Sequence, residues 1–279
     1  MIVGIGGGKT LDTAKAVAHL LSVPVIVAPT SASTDAPTSA FSVIYTDEGV
    51  HSDCMYYKRN PDIVLVDTDI ILKAPVRLLV SGMGDALSTY FEAEANRTSD
   101  TANYVGEGYR RTKLGLALAK HCYETLLASG VHAKNAMENG CRTEALEDII
   151  EANILLSGLG FENTGCAGAH GIHNGLTALP ETNKYFHGEK VAFGTLCQLV
   201  LENKPSKLIK QVYKFCISVG LPVTLAGVGV EDTDEKIRII AKHSVGQMHA
   251  EPFFVTEEML VNAIKAANGL GKMYAKLES

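Results

Sequence analysis

The sequence lacks several features that define special classes of protein. No run of apolar residues approaches the roughly 18–20 residues that a membrane-spanning helix needs, so we expect no membrane partner. The apolar start is too short for a signal peptide and is soon followed by glycines and Asp12. The formal net charge of −6 argues against a broad basic face, so we expect no nucleic-acid partner either.

The six cysteines are scattered, and no two of them form a C-x-x-C pair. Scattered thiols in a chain of 279 residues are typical of a reducing compartment, so we predict reduced, mostly buried cysteines and a cytoplasmic protein. Hydrophobic residues make up 46% of the chain, which is typical of a globular protein with a substantial core. The length suffices for one large domain or two ordinary ones.

The periodicity of the apolar residues changes near residue 75. Before it, short β-type runs alternate with loops, and after it the period is helical almost to the end. We therefore predict an α/β part (1–75) with a partial Rossmann-like parallel sheet, followed by an all-α part (76–279), with a small-molecule site in the cleft between them. The predicted strands are 2–5, 24–28, 41–46 and 62–66, with a hairpin turn at 48–49, and the predicted helices are 11–21, 76–94, 104–127, 132–157, 165–178, 189–202, 206–219, 233–248 and 256–275.

A glycine cluster with a lysine, Gly6-Gly7-Gly8-Lys9-Thr10, follows the first predicted strand. Glycine lets the backbone approach a phosphate closely, and the N–H groups at a helix start favour an anion. The spacing fits neither a Walker A loop, which would need a glycine at position 3, nor a G-x-G-x-x-G fingerprint, which would need one at position 9. The cluster indicates an anion site without choosing NAD over a nucleoside triphosphate; a plain tight turn is the alternative.

A polar loop, Thr30-Ser-Ala-Ser-Thr-Asp-Ala-Pro-Thr-Ser39, follows the second predicted strand at its carboxyl end. In open α/β sheets that edge is where ligands bind. Hydroxyl groups there can hold a ribose or a pyrophosphate, and Asp35 can accept hydrogen bonds from a polyol. The alternative interpretation is a solvated loop in which Asp35 caps a turn.

Four side chains in the helical part are candidates for a metal site. His170 and His173 are three residues apart and therefore lie near each other on a helix, while His187 lies near the start of the next one. Asp85 sits among apolar and small residues, where a carboxylate costs free energy unless it is paired or ligates a cation. One carboxylate and two imidazoles suit Zn²⁺ with an open catalytic position, or Fe²⁺. Histidines that are merely hydrogen-bonded are the alternative.

These segments, in this order, resemble the iron/zinc-containing alcohol dehydrogenase family, and within it the members that oxidise glycerol. The similarity covers nearly the whole chain, and it implies a dehydroquinate synthase-like architecture and a homo-oligomer. The matching stretches are Gly-Gly-Gly-Lys-Thr-Leu-Asp-Thr-Ala-Lys (6–15), Ala-Ser-Thr-Asp-Ala-Pro (32–37), Ser-Val-Ile-Tyr-Thr-Asp-Glu-Gly (42–49), Gly-Asp-Ala-Leu (84–87), Ala-His-Gly-Ile-His-Asn-Gly-Leu-Thr (169–177) and Tyr-Phe-His-Gly-Glu-Lys-Val-Ala-Phe-Gly-Thr (185–195).

The resemblance also implies roles for individual residues. Asp35 would contact the substrate, and His173 would relay protons. The implied metal ligands are Asp85, His170 and His187. The implied pyrophosphate residues of NAD are Gly8, Lys9, Thr10, Leu11 and Asp12, with Gly6 and Gly7 shaping the turn, and the remaining cofactor residues are Thr30, Ser31, Ala32, Ser33, Ser39, Phe41 and Tyr45.

The implied reaction is the reversible, metal-dependent oxidation of glycerol, or a similar small polyol, to the ketone dihydroxyacetone with NAD. A family dehydrogenase acting on another alcohol or diol is one alternative. A sugar-phosphate synthase is a more distant one, since no arginine cluster accompanies Lys184 and Lys190 beside His187. Family members carry further β-α units before the glycine loop that hold the adenosine ribose. We therefore expect part of the NAD site to lie outside these 279 residues, and an inactive assembly module is the third alternative.

Overall fold

The computed structural model describes residues 1–45, 51–103, 105 and 108–278. The elements in chain order are β1 (Ile2–Gly6), α1 (Gly8–Leu21), β2 (Val25–Pro29), β3 (Phe41–Tyr45), β4 (His51–Tyr56), β5 (Ile63–Val64), α2 (Thr68–Leu72), α3 (Val76–Ser99), α4 (Lys113–Glu138), α5 (Glu144–Glu151), a π-helical segment (Ala152–Leu156), α6 (Ser157–Thr164), α7 (Gly168–Thr177), α8 (His187–Leu201), α9 (Ser206–Val219), α10 (Asp234–Ser244) and α11 (Glu257–Glu278), with 3₁₀ turns at Pro180–Thr182, Ala226–Val228 and Val245–Gln247.

A small parallel sheet in the order β1-β2-β5 forms the base of the first part of the chain. Helix α1 covers one face, because its apolar stripe, which includes Leu11 and Ala14, packs on Val25 and Val27. Strand β2 is not buried equally on its two faces. Buried and half-buried side chains alternate along it, since α1 covers only one side of this short sheet. The exposed apolar side chains of the sheet and its edge are Val3, Ile5, Ile63 and Leu65.

Strands β3 and β4 form a separate antiparallel pair that packs beside α1. The pairing runs from Phe41 opposite Tyr56 to Tyr45 opposite His51. The predicted turn at 48–49 falls outside the described residues, as does the side chain of Tyr45. The pair therefore places the chain segment that follows the polar loop against the first helix.

The helical part is built around α3, which packs against α4, α6 and α8. Its large buried side chains include Leu87 and Phe91, which join Leu126 of α4 and Leu196 of α8 in one core. The α/β part followed by an all-helical part confirms the predicted fold class, while the boundary at residue 75 stays a prediction. Among the residues described, no helix is long and apolar enough to cross a membrane.

The predicted break at 129–130 is wrong, because α4 runs through it from Lys113 to Glu138. Gly130 lies in the middle of that helix, where a Cβ would sit 2.8 Å from Cε2 of Phe215. The glycine therefore serves close packing against α9 instead of a turn. The chain turns ten residues later, at Gly140, which has a φ of +65°. The predicted helix start at 104 is also too early, since the Thr112 hydroxyl caps α4 by accepting from the Gly115 N–H at 2.9 Å.

Candidate active site

The glycine cluster forms the turn between β1 and α1 at the carboxyl edge of the sheet. Gly7 stands at the helix N-cap without any side-chain cap, and the first intrahelical bond is the one from Thr10 N–H to the Gly7 carbonyl. A Cβ at Gly6 would lie 2.9 Å from the Thr10 Cβ, whereas a Cβ at Gly7 would meet nothing within 4 Å. Gly6 is therefore required by the turn itself, while Gly7 borders open space into which the helix N-terminus points.

This open space is a cleft of about 660 Å³. Seven of the predicted cofactor residues line it, and the opposite wall comes from α2, the start of α3 and Phe186. The predicted lining residues are Gly7, Gly8, Lys9, Thr10, Thr30, Ser31 and Ser33; the others are Ile70, Lys73, Ala74, Pro75, Leu78 and Phe186. The structure therefore brings together the glycine turn and the start of the hydroxyl-rich loop, which are separated by twenty residues of sequence.

Other predicted cofactor residues lie outside this lining. Leu11 is in the core under the sheet. The buried Asp12 turns toward β3, where its Oδ2 accepts from the Val43 N–H at 3.3 Å. Ala32 is buried with its carbonyl against α3, and Ser39 and Phe41 are located where the loop joins β3. These residues shape the loop and the turn behind the cleft.

A buried lysine that the sequence reasoning missed, Lys15, holds this loop in place. Its Nζ lies 3.0 Å from Asp12 Oδ1 and donates to the Ala36 carbonyl at 2.7 Å, and also to the carbonyls of Ser39 and Phe41. Burial lowers the pKa of Lys15, and the Asp12 carboxylate opposes that effect. The only sequence signal was the spacing of three between Asp12 and Lys15, which looks like an ordinary surface pair on a helix.

The π-helical segment Ala152–Leu156 fixes the other side of the same loop. The Asn153 amide donates to the carbonyls of Ala32 (2.9 Å) and Leu79 (3.1 Å), and Thr38 Oγ1 donates to the Ile154 carbonyl at 2.6 Å. One turn later, Ser157 donates to Asp35 Oδ2 at 2.7 Å. A π-segment inside a helix redirects side chains and frees carbonyls, and such segments are frequent at functional sites. Here the segment binds the loop on both sides of Asp35, and Ser157 at the start of α6 binds Asp35 itself.

The structure brings together Asp85, His170 and His187, which come from three different helices. The Nε2 atom of His187 is 3.1 Å from Asp85 Oδ1, and the Nε2 atom of His170 is 3.5 Å from the same oxygen. One ligand-type atom from each residue lies within 4.8 Å of the others. Asp85 Oδ2 is buried and has no hydrogen-bond partner among the described residues. A divalent cation would satisfy that oxygen, so the three side chains fit a metal ion.

Glycines at the crossing of α3 and α8 allow this approach. A Cβ at Gly188, next to His187, would lie 1.8 Å from the Ser81 carbonyl oxygen on α3. A Cβ at Gly84, next to Asp85, would lie 2.3 Å from the Gly188 carbonyl oxygen. Each glycine therefore sits beside one member of the cluster. A larger residue at either position would push the two helices apart.

The electrostatics of the cluster favour a charged carboxylate at Asp85. Burial alone would raise the pKa of Asp85, but His187 and His170 outweigh it and hold that pKa far below its usual range. Burial would likewise lower the pKa of His170, yet Cys166, Glu92 and Asp85 raise it well above its usual value. A divalent cation on these atoms would take the place of the proton that His170 otherwise holds on Nε2.

Asp35 and His173 flank this cluster. Burial, with the nearby Asp85 carboxylate, raises the pKa of Asp35 to about 8. The His173 ring packs edge-on against that of His187 with centroids 4.3 Å apart, and its Nδ1 lies 2.9 Å from Asn174 Oδ1. Burial, followed by His187, lowers the pKa of His173 well below its usual value. The two residues that the resemblance assigns to substrate and proton transfer are thus both close to the predicted metal ligands.

Glu92 is a second buried residue that the sequence reasoning missed. It is fully buried, and its Oε2 lies 2.7 Å from Nδ1 of His170. It stands seven residues after Asp85 on α3, which is two helical turns along one face. The available signal was two acidic residues with that spacing, separated only by uncharged residues.

The cleft and the cluster adjoin at consecutive residues. Phe186 lines the cleft, and His187 belongs to the cluster. Their segment is fixed by Glu189, which accepts from the Phe186 N–H at 2.8 Å and from Arg77 Nε and Nη2 at 2.6 and 2.8 Å. The Arg77 guanidinium also lies 4.8 Å from the Phe186 ring centre. One fixed chain segment therefore contributes both to the wall of the cleft and to the cluster.

Comparison with known proteins identifies relatives over nearly the whole chain. A family model described as iron-containing alcohol dehydrogenase matches residues 1–68. The chain is 54% identical over 277 residues to the glycerol dehydrogenase of Citrobacter freundii, covering 98% of this chain and 75% of that protein. It is 45% identical over 276 residues to the glycolaldehyde reductase of Halobacterium salinarum, with the same coverage of 98% and 75%.

The solved structures agree with this relationship. The fold matches the crystal structure of a probable glycerol dehydrogenase from Sinorhizobium meliloti with a TM-score of 0.94 and 50% sequence identity. That match covers 97% of this chain and 77% of the other. Both the α/β part and the helical part therefore have counterparts in one known structure.

Proposed function

This chain belongs to the iron-containing alcohol dehydrogenase family, and we propose that it oxidises glycerol, or a similar small polyol, to the ketone with NAD and a bound divalent metal ion. The observation that carries the proposal is that consecutive residues join the two parts of the site: Phe186 lines the cleft, and His187 belongs to the cluster. A cofactor held at the glycine turn and a substrate held at the cluster would meet there.

We assign the pyrophosphate of NAD to the N-terminus of α1. The backbone of Gly7 and Gly8 can approach it closely, and the helix dipole favours its charge. Lys9 adds a positive charge on the same side, and the hydroxyls of Thr30 and Ser31 border the same space. In this assignment Leu11, Asp12, Ala32, Ser39 and Phe41 support the site from behind.

We assign the metal ion to Asp85, His170 and His187, with Zn²⁺ as the expected ion and Fe²⁺ as the other ion that this donor set accepts. Once bound, the ion supplies Lewis acidity at the substrate hydroxyl and NAD supplies the hydride acceptor. The chain's own contribution is to hold the two reactants in register, which can lower the barrier by several kcal/mol.

Asp35 is the residue that we assign to the polyol. Ser157 occupies its Oδ2, so the other carboxylate oxygen is assigned to a substrate hydroxyl. We assign proton transfer to His173, because its ring contacts that of His187 and its Nδ1 is directed to Asn174 at the half-exposed side of α7. In this scheme Asp35 orients the substrate, and His173 carries the hydroxyl proton away from the buried cluster.

A second candidate function is reduction of a small hydroxyaldehyde by the same groups working in reverse. The observation that favours it is the 45% identity to a glycolaldehyde reductase over nearly the whole chain. The substrate preference distinguishes the two candidates: a higher kcat/KM for glycolaldehyde with NADH than for glycerol with NAD would favour the reductase.

The test compares the metal-free and metal-loaded protein with the variants His187→Ala and His121→Ala. His121 is an exposed histidine on α4 and serves as the matched control. We expect about one Zn²⁺ per chain, NAD binding by calorimetry and metal-dependent glycerol oxidation for the parent and for H121A, and loss of metal and turnover for H187A. Full activity of H187A, or of the parent after chelation, would refute the metal assignment.

Binding of NAD decides between the enzyme and the inactive assembly module. A parent chain that binds Zn²⁺ but no NAD would favour the module. Light scattering of the same preparation tests the expected homo-oligomer, which we retain as a proposal.

A further inference from the structure

The N-terminus of α7, the helix that carries His170, is held by buried side chains from other elements. The N–H groups of Ala167 and His170 both donate to Glu92 Oε1, at 2.8 and 2.9 Å. The N–H of Gly168 donates to Glu251 Oε1 at 2.8 Å, and the N–H of Ala169 donates to Gln198 Oε1 at 3.1 Å. Four consecutive N–H groups are thus satisfied by three acceptors, and Glu92 takes two of them.

Glu92 differs from the other two acceptors because it also contacts the imidazole. Its Oε2 lies 2.7 Å from Nδ1 of His170, while Nε2 of the same ring is directed at Asp85. The Glu92 carboxylate already accepts two backbone N–H groups, and a carboxylate acts only as an acceptor. When the ring is neutral, as it must be to bind a metal ion, its one proton therefore lies on Nδ1, which leaves the lone pair of Nε2 on the side of the ring that faces Asp85 and His187.

We infer that Glu92 is the positioning residue of the metal site: it fixes the tautomer and the orientation of His170 so that Nε2 is available as a ligand. This inference rests on the proposed metal site. Carboxylates that hold the second nitrogen of a ligating histidine typically contribute 10- to 100-fold to metal affinity. The contribution should be large here, because Glu92 fixes the backbone of α7 and the ring of His170 with one rigid group.

A second arrangement of ligand-type atoms shares His170 and provides an alternative to be tested. Glu92, Cys166 and His170 also offer atoms within 4.8 Å of one another. A metal ion there would use Nδ1 and would have to displace the 2.7 Å contact between His170 and Glu92. A metal ion in the cluster around Asp85 leaves the contact between Glu92 and His170 intact, and Asp85 Oδ2 has no hydrogen-bond partner among the residues that the structure describes.

The decisive variant is Glu92→Gln, which keeps the shape of the side chain. Glutamine has one acceptor oxygen. If that oxygen still accepts the N–H groups of Ala167 and His170, the amide NH₂ faces Nδ1 of His170. Nδ1 must then act as an acceptor, and the proton of the neutral ring moves to Nε2. The matched control is Glu251→Gln, which changes another buried carboxylate on the same helix end but does not touch a histidine through any described hydrogen bond.

Zinc affinity is measured by competition calorimetry. The His170 tautomer is measured by long-range ¹H–¹⁵N correlation spectra of the metal-free proteins at a pH above the raised pKa of His170, where the ring is neutral. We expect the parent and E251Q to have the proton on Nδ1 and similar affinities. We expect E92Q to move the proton to Nε2 and to bind zinc roughly 10- to 100-fold more weakly. Parental zinc affinity in E92Q, or an Nε2 proton in the parent, would overturn the inference.

The outcomes also separate this inference from the proposed function. A parent chain that binds no zinc refutes the proposed metal site itself, whereas a parent that binds zinc together with an E92Q variant of equal affinity refutes only the role of Glu92. Cobalt substitution tests the second arrangement: a thiolate-to-cobalt charge-transfer band that disappears in Cys166→Ser would place the ion on Cys166 and overturn the inference.

Discussion

Substitution of Gly188 by alanine tests whether the close crossing of α3 and α8 builds the metal cluster. The added Cβ would lie 1.8 Å from the Ser81 carbonyl oxygen, where real Cβ contacts essentially never fall below 3.0 Å. The start of α8 must therefore retreat from α3 by about 1.2 Å. If His187 moves with its neighbour, its 3.1 Å contact with Asp85 lengthens to about 4.3 Å, which is too long for a hydrogen bond.

The magnitude follows from two opposing effects. Overpacking of this kind typically costs about 1–3 kcal/mol, while replacing a helical glycine by alanine gains up to about 1 kcal/mol. Because the obstructing atom is a backbone carbonyl on a buried helix, the clash cannot be relieved by a rotamer change, and we expect a net loss of stability. For a chain of this size, a loss of about 1–2 kcal/mol lowers Tm by roughly 2–8 °C.

The assay combines thermal unfolding with zinc titration. The matched control is Gly269→Ala on α11, where a Cβ would meet nothing within 4 Å, so only the gain in helix propensity remains. We expect G188A to lose both stability and zinc affinity, and G269A to lose neither. A G188A variant with the parental Tm and zinc affinity would show that the helix crossing does not position His187.

The remaining predictions concern the loop behind the cleft, a buried carboxyl group and the substrate. Lys15→Met leaves the buried Asp12 carboxylate without its cation and should lower the free energy of unfolding, measured in urea, by about 3–5 kcal/mol. Adding Asp12→Asn should restore part of that free energy. A decrease below about 1 kcal/mol, which is typical of a surface ion pair, would contradict the prediction. Burial, and to a smaller extent the Glu202 carboxylate, raises the pKa of Glu251 from 4.5 to about 8. The contribution of the protonated Glu251 to the unfolding free energy is therefore fully present below pH 4.5 and is lost as the pH rises through 8. Glu251→Gln should therefore flatten the pH dependence of the unfolding free energy in that window, and parallel curves would refute the assignment. Above pH 8, where the Asp35 carboxyl group is ionised, Asp35→Asn should raise the KM for glycerol roughly 10- to 100-fold without changing NAD affinity, since a hydrogen bond to a charged group contributes about 1.5–3 kcal/mol. An unchanged KM at that pH would remove Asp35 from the substrate site.

The features that could be predicted from the sequence are those in which a local pattern has a direct physical meaning. The glycine turn follows from an apolar strand, three glycines and a helical period, and the structure has that turn at the expected residues. His170 and His173 lie on one helix because they are three residues apart. The proximity of Asp85 to both metal histidines came only from the family resemblance, since their separation in the chain carries no geometric information.

The features that could not be predicted depend on contacts between distant segments. Gly130 looks like a turn residue, and only the Phe215 ring packed against it explains its place inside α4. Lys15 looks like an exposed helical cation, and only the returning loop buries it against three carbonyls. The role of Glu92 likewise follows only from the tertiary packing, which brings His170 of α7 against its carboxylate. In each case tertiary contact overrides the local interpretation of the residue.

Helix α3 explains why these contacts depend on one another. Asp85 and Glu92 lie on one face two turns apart, so a single rigid helix sets the distance between a predicted ligand and the group that orients another. Gly84 on the same helix admits α8, which brings His187 to Asp85. Any displacement of α3 therefore alters two of the three predicted ligands together. Because residues that share a backbone element couple, the effects of G188A and E92Q on zinc affinity should not add in the double variant. Once G188A has moved His187 away from Asp85 and weakened zinc binding, the change of the His170 tautomer in E92Q should weaken it little further.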